Sequence, residues 1–301
     1  MTTRSSSPWT VLGVPIDSVG APAGGPPFGT ELAPQALRAL DVVGRLGAHD
    51  AGDLDVRITG PARDAATGLV GGSTVAPVVA EVRRATAALV ASGQRPLLVG
   101  GCCALLMGAF AGAVDRLGDL GLAYVDGHLD IYDHVTSPTG EAADMPVGVL
   151  LGFGEPGLLL ASGPTAPLRA QRLRVLGARD AEELAHVAPL AERWRVVNES
   201  PESISRDPLS AAGRTLESVA GKGFWLHVDL DVLDAEVFPA TDYLMPGGLD
   251  FPALTALLHA LIGDPRLVGA SLACYNPAKD PDGRYGRQLV DLLAESFGTA
   301  S

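Results

Sequence analysis

Apolar runs of strand length alternate with segments of helical period along the whole chain, and that rhythm limits its possible folds more than any other feature. Strands are predicted at 10–16, 96–100, 122–126, 174–177, 195–197, 224–229 and 267–275. Helices are predicted at 33–40, 73–91, 104–117, 181–187, 210–220, 252–262 and 286–297. Pro34 falls in a first helical turn, where a missing N–H costs nothing. Ser73 is placed to cap a helix that carries Val75, Val78, Val79, Val82 and Leu89 on one face. Continuous apolar strands separated by amphipathic helices build a mainly parallel sheet covered on both faces. In such a sheet, ligands bind outside the carboxyl ends of the strands.

Composition narrows the function. The 301 residues are enough for a large core, and 47% apolar residues exclude a disordered chain. Lys and Arg number 22 against 35 Asp and Glu, a net charge of −13 with no basic run. Nucleic acid and anionic membranes both need a concentrated basic patch, so neither is expected as a partner. The three cysteines, Cys102, Cys103 and Cys274, make no disulfide framework and point to a reducing cytosol. Residues 1–8 read as a short frayed tail rather than a signal peptide. The longest apolar stretch, near 105–114, is shorter than the ~20 residues a bilayer requires. The expectation is a soluble, cytoplasmic protein. No linker or repeat interrupts the pattern, and residues 1–301 are expected to form one domain with long functional loops.

Three strand ends carry ligand chemistry. In Tyr124-Val125-Asp126-Gly127-His128-Leu129-Asp130, spacing by two puts Asp126, His128 and Asp130 on one side of an extended chain. Carboxylate and imidazole together suit Mn, Zn, Fe or Ni better than Ca. Acids leaving a strand can equally be solvated or cap a helix. In His227-Val228-Asp229-Leu230-Asp231, two carboxylates again share a face at an apolar strand end. That is costly unless a cation neutralises them. His227 lies on the same face, as an orienting partner or a buried hydrogen-bonded histidine. Gly100-Gly101-Cys102-Cys103 turns sharply from strand to helix. At a helix N-terminus the macrodipole favours thiolate; the alternative is a pair of small buried hydrophobes.

Taken in order, these segments resemble the arginase/agmatinase (ureohydrolase) family over most of the chain. Gly13-Val14-Pro15, Gly20-Ala21-Pro22 and Ala33-Pro34-Gln35-Ala36-Leu37-Arg38 resemble its opening strand, loop and helix. Asp50-Ala51-Gly52-Asp53 resembles its D-x-G-D, and Cys102-Cys103 stands after the two glycines of its G-G-D-H. Asp126-Gly127-His128-Leu129-Asp130 matches D-A-H-x-D, with Tyr132-Asp133 continuing as in agmatinases. Asp229-Leu230-Asp231-Val232-Leu233-Asp234 matches D-x-D-x-x-D, and Pro246-Gly247-Gly248-Leu249 and Asn276-Pro277 match later landmarks. The resemblance implies a three-layer α/β/α sandwich and two Mn2+ ions that activate a bridging hydroxide for attack on a guanidinium carbon. It implies that Asp126 and Asp229 bridge the ions, that Asp130 completes one, and that His128 and Asp231 complete the other. A homo-oligomer, trimer or hexamer, and a small-molecule substrate follow from the same resemblance.

The chain departs from that pattern at the substrate side. Cys103 replaces a ligand histidine and would shift preference toward Zn2+. The stretch that carries the family's catalytic histidine has Ala143 in Ala143-Asp144-Met145-Pro146; His134 and Asp144 are the candidate substitutes. Cys274 stands where the pattern has a guanidinium-binding glutamate, and Pro239-Ala240-Thr241-Asp242 replaces Pro-Gly-Thr-Gly. These changes argue against ordinary arginase or agmatinase activity. The expected function is a metal-dependent hydrolase acting on a C–N bond of another guanidino, amidino or related compound. The alternatives are a mononuclear Zn2+ amidase related to deacetylases, held by Asp126, His128 and Asp229, a non-catalytic protein on the same fold, and thiol chemistry at Cys103 or Cys274.

Overall fold

The computed structural model describes residues 8–219 and 221–298. The frayed-tail expectation thus falls, apart from Pro8, outside the described residues. The strands are β1 (Trp9–Val14), β2 (His49–Asp53), β3 (Arg95–Gly100), β4 (Gly121–Val125), β5 (Leu173–Leu176), β6 (Asn198–Glu199), β7 (Phe224–Asp229) and β8 (Leu267–Ala273). They form one sheet in the order β2-β1-β3-β8-β7-β4-β5-β6, with every pairing parallel.

Side chains alternate across this sheet as the pleat demands. Leu98, Leu122, Tyr124, Val175 and Trp225 pack into one core with the helices Val75–Ala91, Leu105–Leu117, Pro146–Leu150, Pro156–Ser162 and Ala181–Trp194. Leu97, Val99, Ala123, Val125, Leu226 and Val228 pack into the other. Its helices are Ala33–Ala39, Val42–Leu46, Pro201–Arg206, Pro208–Ser218, Phe251–Ile262 and Arg284–Phe297. The fold is therefore a three-layer α/β/α sandwich. No helix among the described residues is long and apolar enough to cross a membrane.

Some boundaries differ from expectation, each for a local reason. β2 was not predicted because all five of its residues are exposed and they include no large apolar side chain. It is an edge strand held from outside: Arg38 donates to the Asp50 carboxylate at 3.0 Å and the Gly52 carbonyl at 2.9 Å, and also pairs with Asp53. The helix predicted to stop at Val187 runs on through Pro189 to Trp194 and ends at Arg195 in a left-handed conformation. The strand expected at 195–197 is consequently displaced to 198–199.

The turn from β3 toward Cys103 requires a bare backbone. A Cβ on Gly101 would overlap the Ile16 main chain, because this turn crosses the end of β1. Backbone cannot move aside as a flexible side chain can. Gly101→Ala is expected to lower the unfolding free energy by at least about 2 kcal/mol, measured by urea titration of the metal-free protein. An unchanged midpoint would show that the turn yields to a methyl group at no cost.

Candidate metal centre

The strands β3, β8, β7 and β4 are consecutive in the sheet, and their carboxyl ends deliver Cys103, Cys274, Asp229 and Asp126 to one place. By strand parity His227 and Asp229 share a face with Trp225, the face that carries the first of the two cores. The Cys103 sulfur contacts the Asp229 carboxylate and lies 3.7 Å from Asp126 Oδ2, 3.3 Å from His227 Nε2 and 3.8 Å from Cys274 Sγ.

Two groups of donors overlap here. Cys103, Asp126, His227 and Asp229, all buried, each offer one atom, and these atoms lie within 4.8 Å of one another. Asp126, His128 and Asp231 satisfy the same limit. Asp126 belongs to both. In this set of one thiol, two imidazoles and three carboxylates, the thiol and imidazoles suit zinc and the carboxylates suit harder ions such as manganese.

Backbone N–H groups hold the carboxylates in place. His128 N donates to Asp126 Oδ1 at 2.7 Å, Gly127 N to Asp231 Oδ1 at 3.0 Å, and Asp231 N to Asp229 Oδ1 at 2.8 Å. Asp130 is arranged differently. It lies outside both groups, its backbone is left-handed (φ 52°), and its carboxylate accepts from the Tyr124 hydroxyl. The Glu183 carboxylate braces this loop by accepting from Leu129 N at 2.7 Å and Asp130 N at 2.8 Å. The mononuclear set Asp126, His128 and Asp229 is not one of the groups, since His128 is closest to Asp231, at 2.9 Å.

Burial and mutual repulsion among the carboxylates dominate the electrostatics of the site. Burial, then the Asp231 charge, pushes the Asp126 carboxyl up to about 6. Burial, with Asp231 and Asp126 nearby, drives Asp229 well above the usual carboxylate range. Burial alone pushes His227 down to about 3, so this imidazole is neutral. Burial also disfavours a charged His128, but the Asp231 and Asp126 carboxylates outweigh it and raise its pKa. Glu183 is pushed up to about 7 by burial.

These shifts set a pH dependence. Above pH 6.5, His128 holds a proton in the folded state that it releases on unfolding, and Glu183 does so up to about pH 7, so the folded protein loses stability as pH rises. His227 acts in the opposite sense, but its window closes below that pH. The melting temperature in chelator is expected to fall between pH 6.5 and 8.5. The gain on adding Zn2+ or Mn2+ should grow over the same interval, because ligation expels the protons. Thermal melts across this range check both slopes.

Above the donors opens a cavity of about 380 Å³. Among the described residues, nine that line it are acidic, Asp17, Glu141, Asp144 and Asp242 among them, and none is Lys or Arg. Asp242 is paired with Lys279 at 2.8 Å. Glu141 accepts from Ser18 Oγ at 2.5 Å, and Asp144 from Thr139 Oγ1 at 2.7 Å and Ser137 Oγ at 2.5 Å. Burial raises the pKa of Asp17, Glu141 and Asp144. Of the two candidate proton carriers, Asp144 lines the cavity; His134 is not among its lining residues, and its carbonyl accepts from Arg63 at 2.8 Å.

Sequence reasoning passed over Glu183, Tyr124, Asp17 and Glu141. Their signal is only their position in a helix, a strand interior and two loops. His227 was noticed for its face, and the structure adds its approach to Cys103.

Comparison with known proteins completes the description. Residues 7–298 match the model of the arginase family. A curated arginase of Brevibacillus brevis is 26% identical over 307 residues, covering 96% of this chain and 97% of its own. Among solved structures, the arginase of Bacillus caldovelox superposes with a TM-score of 0.87 at 24% identity, covering 98% of this chain and 99% of its own. The arginase of Bacillus cereus superposes with a TM-score of 0.85 at 24% identity, covering 97% and 99%.

Proposed function

The chain belongs to the arginase family, and from that premise we propose that it is a metal-dependent hydrolase that cleaves a C–N bond of a guanidino or amidino compound. The observation that carries this reading is the overlap of two buried donor groups at Asp126, beneath a cavity lined by carboxylates. Asp126, His128 and Asp231 would hold one divalent ion, and Asp229 and Cys103 would share with Asp126 in holding another. Family membership suggests Mn2+ in two copies, and Cys103 draws its end of the site toward Zn2+. Such ions supply Lewis acidity and lower the pKa of water.

The remaining residues bind, orient and carry protons. Asp144 is a carboxyl whose pKa burial raises, fixed by Ser137 and Thr139, and we assign it proton delivery to the departing nitrogen. Asp17 and Glu141 present negative charge to a cationic substrate. Asp130, tied to Tyr124, keeps the loop bearing His128 in place. Tyr243 meets the His128 ring edge to face, with centroids 5.8 Å apart, and covers it on the cavity side.

Ala143 and Cys274 favour a second reading, since they stand where the family pattern has histidine and glutamate. A single ion per chain with hydrolysis of an amide would support a mononuclear amidase, and metal binding without turnover would support a non-catalytic role. The deciding experiment loads the purified chain with Mn2+ or Zn2+ and screens guanidino and amidino compounds for release of urea or ammonia. Release that a chelator abolishes is the expected result. A metal-replete protein that releases neither from any of them overturns the proposal.

A further inference from the structure

We propose that Cys103 and His227 act together as ligands of one ion, making the group Cys103, Asp126, His227 and Asp229 a four-donor zinc site rather than a manganese site. The inference extends the metal-holding part of the reading above, and does not depend on turnover.

Geometry is the first argument. Zinc bonds of about 2.3 Å to sulfur and 2.0–2.1 Å to imidazole nitrogen, at tetrahedral angles, put the two donor atoms about 3.5 Å apart. Cys103 Sγ and His227 Nε2 are 3.3 Å apart, and Cys103 Sγ and Asp126 Oδ2 are 3.7 Å apart. The thiol is thus spaced from the imidazole and from Asp126 as from neighbouring corners of one coordination shell, while Asp229 contacts the sulfur directly.

Orientation of the imidazole is the second. His227 Nδ1 lies 2.7 Å from Ser271 Oγ, on the neighbouring strand β8, and Trp225 Nε1 donates to the same oxygen at 3.0 Å. An Nδ1–H donated to Ser271 leaves the Nε2 lone pair facing Cys103. Tyr124 stacks on the ring, with centroids 5.2 Å apart and planes 10° from parallel, and fixes its plane. A histidine so held, with its second nitrogen aimed at a sulfur and two carboxylates, has the placement of a metal ligand.

Donor chemistry is the third. Thiolate selects zinc over manganese, whereas the other group, Asp126, His128 and Asp231, carries no sulfur.

The test uses the full chain and metal alone. Co2+ added to the metal-free protein is expected to give a thiolate-to-cobalt charge-transfer absorption. Cys103→Ser should abolish it and His128→Gln should leave it. His227→Gln should keep the absorption but weaken Zn2+ affinity at least about 100-fold. Ser271→Ala, which frees the ring without removing a ligand, should weaken it about 10- to 100-fold. Because the buried variants risk misfolding, zinc X-ray absorption on the unaltered protein provides an independent check: one sulfur and at least one imidazole are expected at the metal. A shell of oxygen and nitrogen only, or His227→Gln binding zinc as tightly as the parent, overturns the proposal. A protein that shows sulfur at zinc but hydrolyses nothing keeps this inference and loses the hydrolase reading; an active hydrolase without sulfur at the metal does the reverse.

Discussion

Asp126→Asn is expected to abolish metal-dependent hydrolysis and, at the same time, to stabilise the metal-free protein. Asp126 is the one residue common to both donor groups, so a neutral amide there weakens every ion the site can hold. Loss of activity should reach about 1000-fold or more, the upper range for deleting a single electrostatic contact to a transition state. The stability change has the opposite sign. The carboxyl is pushed up to about 6 by burial and by Asp231, so near pH 8 its charge is held at a cost of up to about 3 kcal/mol. Asparagine removes that charge, and its Oδ1 can still accept from His128 N. Melts in chelator should place the variant at or above the parent. With metal at about 100 times its Kd, the parent should gain about 2.7 kcal/mol and the variant nearly nothing. A variant that melts below the parent in chelator would mean that Asp126 serves the fold rather than the ion.

Substrate charge is the second large effect. A guanidino compound whose tail is an amine should be processed at least about 100-fold more efficiently, in kcat/KM, than one carrying an α-carboxylate, arginine included. The cavity wall holds Asp17, Glu141 and Asp144, and among the described residues no Lys or Arg lines it to receive a carboxylate. At about 6 Å and an effective dielectric of about 20, a single like-charge approach costs about 3 kcal/mol, which is about two powers of ten in rate. Cys274 contributes no charge where the family pattern has glutamate, so the acids of the loops after β1 and β4 set the preference. Equal kcat/KM for a matched amine and amino acid pair would refute this assignment of the wall. Glu141→Gln should narrow the gap, since it removes charge and leaves an acceptor for Ser18.

The site was legible where chemistry follows backbone period. Asp126, His128, Asp229 and Asp231 were readable as candidates because spacing by two at the ends of apolar strands puts them on one side of an extended chain. The same parity put His227 on the correct face. What period could not show is distance across strands, so its approach to Cys103 needed the sheet order to be known. Asp130 kept the expected spacing but turned toward Tyr124, an interior residue whose hydroxyl no pattern announces. Glu183 reaches the site from the helix Ala181–Trp194, about fifty residues along the chain from the loop it braces. In the fold, the buried strands were readable from their apolar runs. The edge strand β2 was not, because an exposed strand needs no such run, and the two-residue β6 was read three residues early.

The position of β8 has a consequence for how the molecule comes into being. This last strand in the sequence is inserted between β3 and β7, near the middle of the sheet. Until residues 267–273 are in place, the flanks β2-β1-β3 and β7-β4-β5-β6 share no strand-to-strand hydrogen bonds, although their helices pack into one core. Cys103 belongs to the first flank, while Asp126, His227 and Asp229 belong to the second. Alignment of the four donors therefore waits on this keystone strand, and a chain cut before residue 267 would lack the strand that registers its thiol against its imidazole.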